Sequence, residues 1–269
     1  MWSGEGVTIN DIVTAIVSIA IQRHLTQHEQ QRQETNENQK ASSAASMMKG
    51  GKIHLHFPIS HRPPSVTMGD LQRQGGSNRI VPGVLQIPFV TNETLAAASF
   101  PVDVVWQCRQ RMGLYKSYPF VAALTWYIMT SSIALFPWRL LERLALQVIL
   151  KPAGVLSNVR SPTEKASIAG YGIDNIIFYG TAHCQGLCVG ILSYNQHLQL
   201  SVSMDNAVEA DPHKFTACLE SAYQELQEAI HNAPPGGWKP PEMTPWSARI
   251  LEWTLPVLVA VSLGWIYGT

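Results

Sequence analysis

The alternation running from Leu198 to Asp205 constrains the fold more than any other stretch of the chain. Leu198, Leu200, Val202 and Met204 alternate with Gln199, Ser201, Ser203 and Asp205, the period of a strand with one buried face. An apolar run, Leu187-Cys188-Val189-Gly190-Ile191-Leu192, precedes it. Between the two, Ser193-Tyr194-Asn195-Gln196-His197 has the polarity of a hairpin loop, with Asn195 suited to a positive φ. Two further strands are expected upstream, at 154–159 and 173–179. Downstream, Asp211-Pro212 opens a helix expected over 212–231, with Phe215, Leu219, Tyr223, Leu226 and Ile230 on one face and Glu220, Glu225 and Glu228 on the other. A sheet with one apolar face needs helices to cover it, so the pattern implies an α/β domain.

The covering helices are legible earlier in the chain. Thr8 and Asp11 stand three apart at a helix start, and Ile9, Ile12, Val13, Ile16, Val17 and Ala20 follow at helical spacing. The spacing predicts a helix over 8–25, with Asn10 and Asp11 as capping residues on the pattern alone. Residues 26–52 are Gln/Glu/Asn-rich, then Ser/Ala-rich, and have no apolar period, so a disordered insertion is expected there. Residues 53–59 alternate as a strand that places His54 and His56 on one face. Two histidines on a strand can chelate, but no third ligand follows at useful spacing, so a polar strand face is expected and no metal site. A second strand is expected at 84–90, broken by Pro88. Thr91 opens a helix that Pro101 interrupts and that resumes to about 116.

Two apolar stretches bear on membranes. Residues 117–138 carry no Asp, Glu, Lys or Arg and are read either as a buried or monotopic helix or as a span. After Pro234-Pro235-Gly236-Gly237 a linker is expected over 234–247 and a hydrophobic tail helix over 248–269, uncharged from Trp253 onward. As an anchor, that tail suits a thin bilayer and leaves Lys239 and Arg249 on the cytosolic side; as a rival, it is a hairpin partner for 117–138. The domain plan is therefore 1–233, linker and tail, with endoplasmic reticulum or plasma membrane as the expected location. Only 14% of residues are charged while 46% are hydrophobic, which fits a packed core plus membrane-seeking segments. The 19 basic and 19 acidic residues cancel, which gives no electrostatic footprint for nucleic acid. Four cysteines are too few for a disulfide scaffold and read as reduced thiols. No basic region precedes the first apolar run, so a cleaved signal peptide is not expected.

The sequence carries few motifs of self-contained chemistry. His183-Cys184-Gln185-Gly186-Leu187-Cys188 lacks zinc-pair spacing. There is no Gly-x-Ser-x-Gly elbow and no phosphate-binding loop. None of the nine histidines has Asp four residues downstream.

Several stretches, taken in order, resemble the C-terminal half of the wax ester synthase/diacylglycerol acyltransferase family. Thr8-Ile9-Asn10-Asp11-Ile12-Val13 is similar to the family's Thr-Val-Asn-Asp-Val-Val helix start. Pro58-Ile59-Ser60-His61-Arg62 is similar to its Pro-Val-Ser-x-Arg strand end. Ser77-Asn78-Arg79 resembles the Gly-Asn-Arg before a strand that runs into Leu-Pro, here Leu85-Gln86-Ile87-Pro88. Ser157-Asn158-Val159 resembles Ser-Asn-Val-Pro-Gly-Pro, with Arg160-Ser161-Pro162 departing from its second half. Ser193-Tyr194-Asn195, Asp205 and Asp211 fit the final hairpin and closing helix.

The resemblance implies a mixed sheet covered by helices, in the manner of the C-terminal half of a chloramphenicol-acetyltransferase-like fold, here with the C-terminal hydrophobic anchor helix added. It implies acyl transfer from acyl-CoA, as co-substrate and without a further cofactor, to diacylglycerol or a long-chain alcohol at a membrane. In the family the general base is the second histidine of His-His-x-x-x-Asp-Gly, which belongs to the N-terminal half; this chain contains no such motif. No catalytic residue is therefore expected within it, and it is expected to be inactive alone, with a separate N-terminal half as a partner. The resemblance implies that substrates meet between the two halves and marks Asn10, Asp11, Ser157 and Asn158 as substrate-binding or site-supporting residues. The alternative is a non-catalytic, tail-anchored lipid-binding or scaffolding protein.

Overall fold

The computed structural model describes residues 6–35, 51–60, 80–90, 92–95, 97, 99–117, 127, 131, 136–140, 142–143, 152–160, 164–182 and 186–232. Its centre is a five-stranded sheet of order β2-β1-β3-β6-β7. The strands are β1 (Lys52–Ser60), β2 (Ile80–Pro88), β3 (Gly154–Arg160), β6 (Leu187–Tyr194) and β7 (His197–Met204). A separate two-stranded ribbon joins β4 (Ser167–Ile168) to β5 (Tyr171–Gly172). In the large sheet β1, β3 and β6 run parallel, and β2 and β7 close the two edges antiparallel. The sheet is thus mixed, as expected. Pairing is uneven: β3 matches β6 through six residue pairs but β1 through only Leu55↔Gly154 and His56↔Val155.

Helices α1 (Ile9–Thr35), α3 (Phe100–Ser117) and α4 (Pro212–His231) cover one face, with the short α2 (Asn92–Leu95) between β2 and α3. That face carries Ile53, Leu55, Leu85, Ile87, Leu156, Val189 and Ile191, all buried against Val13, Val17, Val102, Trp106, Phe215 and Leu226 of the helices. Each such side chain contributes about 1.5–3 kcal/mol by leaving water. The alternation of a strand dictates this, since Val189 and Ile191 turn inward while Gly190 and Leu192 face the other side. On that second face an extended segment, 173–182, crosses β6 and β7. The Tyr194 hydroxyl donates to the Ile173 carbonyl at 2.6 Å and accepts from the Ala166 N–H at 2.9 Å. The Ser201 hydroxyl donates to the carbonyl of Phe178, and the Gln199 amide to the Asn175 side chain.

Several sequence expectations change on inspection. The strand expected at 173–179 is not one; the Ile173 and Phe178 carbonyls accept from side chains of β6 and β7 instead of from a ladder. The hairpin loop is shorter than expected, two residues, with Asn195 at φ 47° and Gln196 at φ 64°, the twist-matched turn that pairs Tyr194 with His197. The alternating face of β7 is only half covered: Val202 and Met204 pack on the core, but Leu198 and Leu200 are each 43% exposed. The disordered stretch expected at 26–52 begins as helix, because α1 continues to Thr35. Strand β2 begins at Ile80, earlier than expected, and Pro101 does not break a helix but sits in the first turn of α3, where proline lacks only a dispensable N–H. Helix α4 keeps its expected bounds, with Asp211 as N-cap accepting from the His213 N–H. Its buried face is Phe215, Cys218, Leu219, Ala222 and Leu226, and Tyr223 is exposed.

Among the described residues no helix is long and apolar enough to cross a membrane. The linker at 234–247, the anchor helix expected at 248–269 and most of the apolar stretch 117–138 lie outside the described residues. Cys108, Cys188 and Cys218 are free and buried, and burial raises each thiol above its ordinary value.

Candidate functional site

The four expected site residues fall into three different environments. Asn10 lies in the first turn of α1, and Asn158 near the carboxyl end of β3. The Asn158 side-chain amide donates to the Asn10 side-chain oxygen. Asn158 pairs with Ile191, so it projects on the helix-covered face. Asn158 is exposed, and on the same face Leu198 and Leu200 of β7 stand in solvent, with Ile9 of α1 59% exposed nearby in sequence to Asn10. A polar pair in an apolar surround, at the carboxyl end of the parallel strands, is the arrangement that α/β sheets use to hold ligands.

Ser157 does not join them. It pairs with Gly190 and faces the opposite side, towards the segment 173–182. Asp11 does not join them either. It is fully buried, and its Oδ2 accepts from the Thr8 N–H and the Thr8 hydroxyl, both at 2.8 Å. Those two bonds, with the Asp11 N–H donating to the Thr8 carbonyl at 3.0 Å, close the first turn of α1 and put a carboxylate at the positive end of the helix. The structure therefore brings together Asn10 and Asn158, and leaves Asp11 to hold the helix that presents Asn10.

A second polar cluster lies at the far end of α1. His24 and His28 stand one turn apart on one face, and Glu209 reaches them from the turn between β7 and α4. The His28 Nε2–H donates to Glu209 Oε2 at 2.6 Å, and His24 Nε2 is 3.8 Å from the same oxygen. Glu209 is held in place by its backbone turn, where Asp205 accepts from the Ala207 and Glu209 N–H groups, and its Oε1 accepts from the Asp211 N–H at 3.0 Å. That bond and His28 hold its carboxyl down at about 2. Burial, and then His28, hold His24 below the ordinary imidazole value. His24 also packs edge-on against Phe215, with ring centroids 5.5 Å apart. The sequence signal was His24-x-x-x-His28, which has meaning only on a helix; the helix was expected to end at 25, so the pair went unread. Glu209 carried no signal at all. The expected face shared by His54 and His56 is present, with His56 buried and its pKa lowered by burial and by His54.

The chain has relatives among known proteins. The WS/DGAT C-terminal domain profile matches residues 78–227, more than half of the chain. The chain is similar to wax ester synthase/diacylglycerol acyltransferase 9 of Arabidopsis thaliana, 24% identical over 231 residues, which covers 83% of this chain and 46% of that protein. It is likewise similar to number 7 of the same series, 21% identical over 228 residues with the same coverage. A shorter stretch of 76 residues is 29% identical to number 10, covering 28% of this chain and 16% of that protein. Among solved structures, the wax ester synthase/diacylglycerol acyltransferase from Marinobacter aquaeolei VT8 shares the fold, with a TM-score of 0.50 at 15% identity over 85% of this chain and 45% of that one. The chain thus spans about half the length of the relatives it matches most extensively. A mixed sheet with one helical layer, motifs in family order and a domain profile over most of the folded part lead to one conclusion: the chain belongs to the wax ester synthase/diacylglycerol acyltransferase family.

Proposed function

We propose that this chain is the C-terminal half of a membrane-associated O-acyltransferase of neutral-lipid synthesis, which moves an acyl group from acyl-CoA to diacylglycerol or a long-chain alcohol. On this reading the end of the sheet around Asn10 and Asn158 is one wall of the substrate seam. The observation that carries it is the Asn158-to-Asn10 hydrogen bond on a sheet face that exposes Leu198 and Leu200. Apolar side chains on the core face of a sheet cost free energy when left in water. An acyl chain or an opposing half would cover them.

The chemistry divides between the halves. The acceptor hydroxyl attacks the thioester carbonyl carbon, a C–O bond forms, and the C–S bond breaks to release CoA. A base must take the hydroxyl proton, and the CoA sulfur must receive one. His-His-x-x-x-Asp-Gly, the family's source of that base, does not occur in these 269 residues, so the base would come from an opposing half. The Asn158 amide has two N–H groups, of which one binds Asn10. The second is free to face the thioester oxygen, where negative charge develops, and Asn10 fixes the orientation of the group. The tail at 248–269 would hold the body at the bilayer that dissolves both lipid substrates.

The test is acyl transfer from labelled acyl-CoA to diacylglycerol and to a long-chain alcohol. The 269-residue chain is assayed alone and co-expressed with the N-terminal half of a family relative. The expected result is turnover only in the pair, with Asn158→Ala lowering kcat by about 10²–10³-fold, as loss of one oxyanion donor does. Turnover by the chain alone would show that it holds its own base. A pair that turns over equally well with Asn158→Ala removes the role given to this residue. A pair that binds acyl-CoA and lipid without turnover supports the lipid-binding alternative.

A further inference from the structure

We propose that His24, His28 and Glu209 form a divalent metal site, suited to Zn2+, that fastens α1 to the turn between β7 and α4. One donor atom from each residue lies within 4.8 Å of the others. Two imidazoles one helical turn apart and a carboxylate from another segment make an N2O set, which Zn2+ binds with a fourth position open to water. The two spacings to Glu209 are close to what the ion needs, and the two imidazole nitrogens lie within 4.8 Å of each other. Zinc at 2.0–2.2 Å from each ligand puts tetrahedral ligand atoms about 3.3 Å apart. His24 Nε2 and Glu209 Oε2 are 3.8 Å apart, and His28 Nε2 and the same oxygen 2.6 Å. Admitting the ion draws the first pair in by about half an ångström and spreads the second by somewhat more. His28 can make that move, since its side chain is 43% exposed.

An independent observation points the same way. His24 is 95% buried, yet its Nε2 has no hydrogen-bond partner and is aimed at the carboxylate. A buried polar atom left alone costs free energy. The 3.8 Å gap is too long for a hydrogen bond and wide enough to be bridged through an ion. Glu209 is fixed before any ion arrives, because its other oxygen is tied to the Asp211 N–H, the kind of outer support that orients metal-bound carboxylates. Lys214 competes, with its Nζ 3.5 Å from Glu209 Oε1, but its side chain is half exposed and free to swing away. Fourteen residues of α1 separate His24 from Asn10, about 21 Å along the helix, so the ion's role is to pin the helix and not to touch the acyl group. This site is independent of the acyltransferase reading.

The experiment is calorimetric titration of the metal-free 269-residue chain with ZnCl2, repeated with Co2+ while visible absorption is followed. The expected result is one ion per chain with a Kd in the micromolar range or tighter, a d–d band for Co2+, and a Tm higher by several degrees with Zn2+. His28→Ala, at a half-exposed position that the fold tolerates, weakens binding at least tenfold and abolishes the Tm rise, as does Glu209→Gln. His54→Ala, on strand β1 and outside the site, leaves affinity unchanged. No saturable binding up to millimolar Zn2+ overturns the proposal. So does an affinity that His28→Ala leaves intact, or one that His54→Ala removes.

Discussion

At Gly190 the path of the chain is sensitive to a single methyl group. It sits in β6 beneath the crossing segment, and a Cβ there would lie 2.5 Å from the Ser201 hydroxyl oxygen and 2.7 Å from the Phe178 carbonyl oxygen. The hydroxyl can rotate, but only by giving up its bond to that same carbonyl, worth about 1 kcal/mol. The carbonyl can retreat only if the segment lifts, and overpacking of this kind costs roughly 1–3 kcal/mol. Gly190→Ala should therefore destabilise the fold by about 2–4 kcal/mol, a fall in Tm of roughly 5–15 °C for a chain of this size. Gly113→Ala is the matched control. Gly113 lies inside α3, and nothing stands within 4 Å of the added Cβ. The same substitution there should stabilise by about 0.5–1 kcal/mol through helix propensity alone. Urea unfolding of both variants measures the pair of opposite signs, and amide exchange across 173–182 should accelerate in Gly190→Ala only. A Gly190→Ala protein as stable as its parent, or unaltered exchange over 173–182, would refute the packing of that segment on the sheet.

Two further outcomes follow from contacts between elements. The Arg23 guanidinium grips Glu225 with its two terminal nitrogens and also donates to Ser221, joining α1 to α4; both side chains are partly exposed, so a double-mutant cycle of Arg23→Met and Glu225→Gln should give a coupling of about 1 kcal/mol that shrinks in 1 M salt, and additive variants would deny the contact. His56 has its pKa lowered by burial first and by His54 second, so folding favours the neutral ring: its contribution is fully present above the ordinary imidazole value and is lost as pH falls below that value towards the folded one. Unfolding at pH 7.5 and pH 5 should therefore show a smaller loss of stability on acidification in His56→Gln than in the parent, and equal losses would mean that His56 is not held neutral.

The parts of the fold that periodicity controls were legible in advance, and the parts set by neighbours were not. Helix α4 could be placed from Asp211-Pro212 and its apolar stripe because cap and period agree. Even there the stripe was read slightly rotated, since Cys218 and Ala222 give small surfaces that let α1 approach, while Tyr223 extends into water. For β7 the alternation correctly identified the inward side but not how far the helix layer reaches, which is why Leu198 and Leu200 are exposed. Residues 173–179 have strand composition, yet side chains of β6 and β7 claim their carbonyls first. At the candidate site, Ser157 and Asn158 are adjacent in a strand and must face opposite ways, so they could not both be in one pocket. The bond between Asn158 and Asn10 joins positions 148 apart, and only the family motifs drew attention to both ends.

The thin pairing of β1 with β3 has a mechanical consequence. The sheet consists of a β1–β2 hairpin with nine matched pairs and a β3–β6–β7 unit with fourteen, joined by two pairs and one added bond from the Ala153 N–H to the His54 carbonyl. Backbone hydrogen bonds alone would let the two units part readily, as separately cooperative blocks. What holds them in one plane is side-chain packing: Ile53, Leu55, Leu85 and Ile87 from one unit share a single apolar cluster with Leu156, Val189 and Ile191 from the other, under α1 and α3. The helices thus act as a splint across a crack in the sheet. Loosening that layer would convert one cooperative domain into two.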